Sequence, residues 1–133
     1  MLFRSSLEEK KAIVRKYSEG GIAEWEQVCD PEITVAAPPY PSIHGLHQLK
    51  QSTNGGWGQH MQEPHNKAFR VEEMIAQGGA IAVRWSCHAT PKVTWTVPGV
   101  ATFEAGQPFD FIGLSIIRLR GDKIIEEYTL HGP

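Results

Sequence analysis

The chain has 133 residues, of which 41% are hydrophobic and 21% charged, and a formal charge of −2 with neutral histidines. That composition excludes a disordered chain, and the length suits one domain over 1–133 that buries roughly two thirds of its unfolded surface. There is no basic field to attract nucleic acid and no run of about 18 apolar residues to span a membrane.

Met1 to Ser6 leads straight into charged residues without the apolar core of a signal peptide. The two cysteines, Cys29 and Cys87, cannot form a disulfide framework and predict free thiols in a reducing cytoplasm. Four tryptophans, three tyrosines and five phenylalanines are enough rings to line a pocket.

The first half reads helical and the second half β, which is an α+β pattern. Ser6-Leu7-Glu8-Glu9 fits a capping box, and Leu7, Val14 and Tyr17 recur at helical spacing until Gly20-Gly21. Ile22, Trp25, Val28 and Cys29 form a second short stripe that Asp30-Pro31 ends. Ile33 to Ala36 reads as a strand and Pro38 to Pro41 as loop. A third helix starts near Leu46, with Leu46, Leu49, Thr53 and Trp57 on one face. Gly55, Gly56 and Gly58 weaken it by about 1 kcal/mol each, which makes its second half a candidate lid.

Strands follow. Phe69–Ala76 turns at Gly78-Gly79 into Ile81–His88, and Phe109–Leu119 turns at Gly121-Asp122 into Lys123–His131. Thr94–Phe103 is less regular and holds Pro98-Gly99. Alternation puts Val83, Trp85 and Cys87 on one face, with Arg84, Ser86 and His88 on the other.

The wording of these strands resembles the SnoaL-like polyketide cyclase family of the nuclear transport factor 2-like superfamily. The matching stretches are Val71 to Gly78, Ile81 to Trp85, Phe111 to Arg118 and Lys123 to Tyr128, with His44-Gly45 before a helix. The resemblance runs from about Leu7 to His131. It implies a cone-shaped fold, about three N-terminal helices packed on a strongly curved, mostly antiparallel sheet. It also implies a homodimer built on the outer sheet face, with one apolar pocket per subunit. Known members include cyclases, isomerases, epoxide hydrolases, dehydratases and proteins without chemistry.

By the same resemblance, Ile125, Glu127, Thr129 and His131 face the cavity, as do Phe111, Gly113, Ser115 and Ile117. Tyr17 matches the oxyanion-stabilising tyrosine of the ketosteroid isomerases. Their general-base aspartate falls near Ala37 and their second oxyanion carboxyl at Ser115, so neither group is present here. The cyclases' aspartate near the end of the last strand is missing too, since none follows Asp122. What stands near that place is His131, which titrates near neutral pH and can take and return a proton.

The candidate catalytic residues are therefore His131, Tyr17 and Glu127. Glu127 lies roughly 13 Å from His131 along an extended strand, and water or an arginine is its alternative partner. Trp25, Trp57, Trp85 and Phe111 are candidate pocket lining, with Cys87, Ser115 and Thr129. Tyr40 and Met61 are candidates for its entrance. His44 and His47 are too few for a metal site, and His60 and His65 read as a solvated loop. The expected function is cofactor-independent acid/base chemistry (cyclisation, isomerisation or dehydration) on an apolar carbonyl or polyketide-like substrate. The alternatives are a dimeric small-molecule binder and a dimerisation scaffold.

Overall fold

In the computed structural model, which describes residues 6–97, 99 and 101–132, Ser6 accepts a hydrogen bond from the Glu9 amide at 3.1 Å. That cap starts helix α1, Leu7–Glu19, which buries Val14 and Tyr17. A Cβ on Gly20 would lie 2.3 Å from the Lys16 carbonyl oxygen, so glycine is needed where the helix stops. Helix α2, Ile22–Val28, buries Trp25 and Val28.

Cys29 caps the end of α2, its amide donating to the Trp25 carbonyl, and also opens strand β1, Cys29–Ala36. Pro31 lies inside that strand. The register of β1 shifts between Cys29 and Thr34, which takes the proline out of the hydrogen-bonded ladder. A two-residue strand β2, Ile43–His44, follows the proline loop.

The third helix is shorter than its apolar stripe. Helix α3 covers Leu46–Gly55, and Trp57 begins a separate one-turn helix α4, Trp57–His60. A second one-turn helix, α5 at His65–Ala68, occupies the segment expected to be a solvated loop. There are thus five helices among the described residues rather than about three.

The strands are β3, Phe69–Gln77; β4, Ala80–Ala89; β5, Trp95–Val97; β6, Ala101–Phe103; β7, Phe109–Arg120; and β8, Lys123–Gly132. Six of them form one sheet in the order β2-β1-β8-β7-β4-β3. Only the β1–β8 pair is parallel. The irregular segment after Thr94 is a separate β5–β6 hairpin, and Pro98 and Met1–Ser5 lie outside the described residues.

Alternation holds along β4 and β7. Val83, Trp85, Cys87, Phe111, Ser115 and Ile117 are buried. On β8 it holds for Glu127, Thr129 and His131 but fails at the start of the strand. Ile124 is wholly buried and Ile125 only partly, because the β7–β8 register shifts between Arg118 and Leu119. Such a bulge exchanges the faces of the residues before it.

Gly113 is the one inward position of β7 without a side chain. A Cβ there would lie 2.0 Å from Cζ2 of Trp85, its cross-strand neighbour, so the indole occupies the space a side chain at 113 would need. The outward residues Ile112, Leu114, Ile116, Tyr128 and Leu130 are each 46% or more exposed and form one apolar face.

Candidate active site

Alternation turns Glu127 of β8 inward, and α1 brings Tyr17 to meet it across 110 residues of chain. The Tyr17 hydroxyl donates to Oε1 of Glu127, and the Thr129 hydroxyl donates to Oε2. A carboxylate only accepts, so the single hydrogen of Thr129 is committed to Glu127. Ser115 lies 2.6 Å from the Thr129 oxygen and must then be the donor between those two. Ser115 in turn accepts from Nε1 of Trp85 at 2.9 Å. Every hydrogen therefore points the same way, from Trp85 through Ser115 and Thr129 to Glu127, with Tyr17 closing from the other side.

Burial is what makes this pair notable. Tyr17 is 5% exposed, and removal from water pushes its phenol well above the usual tyrosine range, with the Glu127 charge adding to the shift. The phenol therefore keeps its proton, and its hydroxyl remains a donor. The neighbouring Cys29 thiol is pushed up to about 12, first by burial and then by Glu127.

The pair lies in a cavity of about 170 Å³ between the helices and the inner sheet face. Aromatic rings from five elements form much of its wall: Tyr17, Trp25, His65, Phe69 and Trp85. Trp25 is held by its Nε1–H, which donates to the Tyr17 carbonyl at 2.9 Å and so ties α2 to α1. Ser18, Leu49 and Thr53 add the helical side, and Ser115 and Glu127 the sheet side.

His65 is the wall residue that sequence reasoning missed. Its ring stacks on Phe69 with centroids 4.1 Å apart and meets Trp25 edge-on at 5.2 Å. Nδ1 lies 2.9 Å from the Gly20 carbonyl oxygen and must carry the hydrogen, so Nε2 is the bare nitrogen. Burial lowers its pKa to about 4, against a smaller upward pull from the Gly20 carbonyl. No motif marks this residue, because its partners lie in α1–α2 and β3.

Tyr17, Trp25, Trp85, Ser115 and Glu127 thus line one cavity, and Thr129 stands directly behind it. The other candidates are placed elsewhere. His131 lies towards the far end of β8, 5.8 Å from the Phe111 ring and 6.5 Å from the Tyr40 ring. Partial burial lowers its pKa, but it does not line the cavity. Tyr40 lines a separate groove beside β2 and α3. Trp57 packs behind His65 and donates to the Glu63 carbonyl at 2.9 Å. Phe111 packs edge-on behind Trp85. Met61 and Cys87 are 2% and 1% exposed and belong to the core, so Met61 closes no entrance.

The family pattern of the SnoaL-like domain matches residues 11–127. The chain belongs to the SnoaL-like domain family. Solved structures agree on the fold of this SnoaL-like chain. A protein of Jannaschia sp. CCS1 assigned as a SnoaL-like polyketide cyclase superposes with a TM-score of 0.73 at 14% identity, covering 98% of this chain and 91% of that one. A protein of Acidithiobacillus ferrooxidans assigned as a polyketide cyclase gives 0.70 at 19% identity, with the same two coverages. An NTF2-like protein of unknown function from Cytophaga hutchinsonii gives 0.66 at 12% identity, covering 93% and 96%. At such identities the likeness concerns the fold alone. No curated protein matches this SnoaL-like sequence.

The neutral His65 has a consequence for stability. Unfolded, it takes up its proton near 6.5; folded, near 4. Between those values the unfolded chain binds the extra proton, so stability rises with pH across the window and is lost as pH falls through it. Urea titrations at pH 7 and 4.5 should show a loss of about 2–3 kcal/mol at the lower pH. That difference should shrink in His65→Phe, and an equal difference in both proteins contradicts the assignment.

Proposed function

We propose that this SnoaL-like chain is a cofactor-independent acid/base enzyme that moves a proton on a small apolar carbonyl compound. The observation that carries the proposal is the Tyr17 hydroxyl donating to the Glu127 carboxylate inside an aromatic cavity. Glu127 replaces His131 as the proton acceptor in this account, and Tyr17 keeps the role of oxygen stabiliser.

The two roles are coupled. Glu127 removes a proton from the carbon beside the carbonyl, and the C–H electron pair moves onto the carbonyl oxygen. Glu127 is then neutral and holds the phenol hydrogen less strongly. That hydrogen is released towards the enolate oxygen, where the low dielectric of the cavity makes it most effective. Glu127 afterwards returns its proton to a carbon or an oxygen, which gives isomerisation, cyclisation or dehydration according to the substrate. The cavity volume is close to the 150 Å³ that holds one benzene ring, so a single-ring substrate suits it better than a fused polyketide skeleton.

The outer sheet face supports a homodimer within the same proposal. Leu114 and Leu130, and Ile116 and Tyr128, are cross-strand neighbours and exposed. The Arg84–Glu73 and Arg118–Glu126 ion pairs lie on the neighbouring strand positions. An apolar face with charged flanks fits a second copy of itself. The two buried free thiols fit a reducing cytoplasm.

Proton exchange tests the chemistry without knowledge of the final product. In D₂O, wild type should speed deuterium incorporation beside the carbonyl of cyclohexanone or phenylacetaldehyde, followed by NMR. Glu127→Gln should reduce that rate by roughly 10²–10⁴-fold, the usual worth of a general base. An unchanged rate removes Glu127 from the role. For the dimer, light scattering should give twice the chain mass for wild type and one chain mass for Leu114→Arg; a monomeric wild type contradicts it.

A further inference from the structure

The direction of the hydrogens restricts what the resting cavity can hold. The Tyr17, Thr129, Ser115 and Trp85 hydrogens all run towards Glu127, and the His65 Nδ1 hydrogen runs to Gly20. Trp25 gives its hydrogen to the Tyr17 carbonyl. Acceptors, by contrast, are left over. Oε1 of Glu127 has a second lone pair, whereas Oε2 faces Ser115 Oγ at 3.5 Å as well as Thr129; the Tyr17 oxygen has a lone pair of its own, and Nε2 of His65 has no protein partner among the described residues. No buried side-chain nitrogen or oxygen among them lacks a partner, so Nε2 keeps an accessible surface. Among the described residues neither Lys nor Arg lines the cavity, and the two rotatable hydroxyls of Ser18 and Thr53 are its only uncommitted side-chain donors.

We infer that the ligand of this cavity is a ring-sized apolar molecule that brings its own O–H or N–H donor, a hydroxyl or an amino group. That donor binds the acceptors formed by His65 Nε2 and Glu127. This inference rests on the acid/base proposal only in naming the same cavity, and it adds a selection rule. A bare carbonyl or a carboxylate finds only the rotatable Ser18 and Thr53 hydroxyls on entry, whereas a hydroxy or amino compound finds fixed acceptors. The substrate of the proton transfer accordingly carries a donor as well as the carbonyl. For an amine, the aromatic walls add attraction to the cationic form.

Five single-ring probes separate the possibilities in the full-length chain: benzyl alcohol, benzylamine, toluene, benzaldehyde and benzoate. Binding is followed by the fluorescence of Trp25 and Trp85 and by ligand NMR. Benzyl alcohol and benzylamine should each bind at least about tenfold more tightly than toluene or benzaldehyde, and benzoate more weakly than all four. Glu127→Gln adds a donor and should cut that preference to about threefold or less; His65→Phe should also reduce it. A further gain for benzylamine over benzyl alcohol identifies the cationic donor as the preferred one. Equal binding of toluene and benzyl alcohol overturns the inference. So does tighter binding of benzoate, failure of all five to bind, or a preference that persists in both variants. Deuterium exchange separates this inference from the acid/base proposal. Glu127-dependent exchange without donor preference removes this inference alone, and donor preference without exchange on 2-hydroxyacetophenone, which carries both the donor and the carbonyl, removes the acid/base proposal alone.

Discussion

A carboxylate drawn out of bulk water must find hydrogens to replace those of the solvent. Glu127 finds them on both oxygens, from Tyr17 on one side and Thr129 on the other. Most of the inner architecture follows from meeting that demand. Thr129 gives its only hydrogen away, so Ser115 must supply one to Thr129, and Trp85 must supply one to Ser115. The chain of donors then fixes the Trp85 indole across the sheet. The indole can lie there only because position 113 of β7 has no Cβ. One charged group thus dictates the residue types at four neighbouring inward positions.

The same constraint links fold to chemistry. Tyr17 reaches Glu127 because α1 ends where Gly20 allows a tight stop, and the Gly20 carbonyl also receives the His65 hydrogen. Trp25 ties α2 to the last turn of α1. The helices are therefore anchored at the residues that form the cavity wall. The fold is shared with proteins assigned as polyketide cyclases and with one of unknown function, so it does not choose a reaction. The choice comes from the Glu127–Tyr17 pair and the bare nitrogen of His65.

Much of the sheet was legible because period-two alternation is a local property. Trp85, Cys87, Phe111 and Ser115 all lie on the face that counting by two assigns. The same counting groups Glu127 with Thr129 and His131, and the family resemblance turns that set inward, but the partner of Glu127 is not visible, since Tyr17 lies on a helix far away in sequence. Ile124 escaped because a bulge changes the count, and bulges leave no signature in a run such as Lys123-Ile124-Ile125. The apolar stripe of α3 carries on past Gly55 to Trp57, while the backbone breaks at Gly56, so the helix is shorter than its stripe. His65 was invisible for another reason. It sits between Pro64 and Asn66, a polar setting that reads as loop, and is partly buried only by elements that converge from elsewhere. His131 drew attention through its position at the end of the last strand, but packing gives it a different neighbourhood, beside Phe111 and Tyr40.

The central claim is that a buried phenol hydrogen is held by a carboxylate inside the cavity. Proton NMR of the hydroxyl hydrogens addresses it directly. A hydrogen held by an anion and shielded from water should give a slowly exchanging resonance downfield of the amide region. The account predicts one such signal that disappears in Tyr17→Phe and again in Glu127→Gln, with both variants folded by their amide spectra. A wild-type spectrum without that signal, or one that keeps it in Glu127→Gln, contradicts the account.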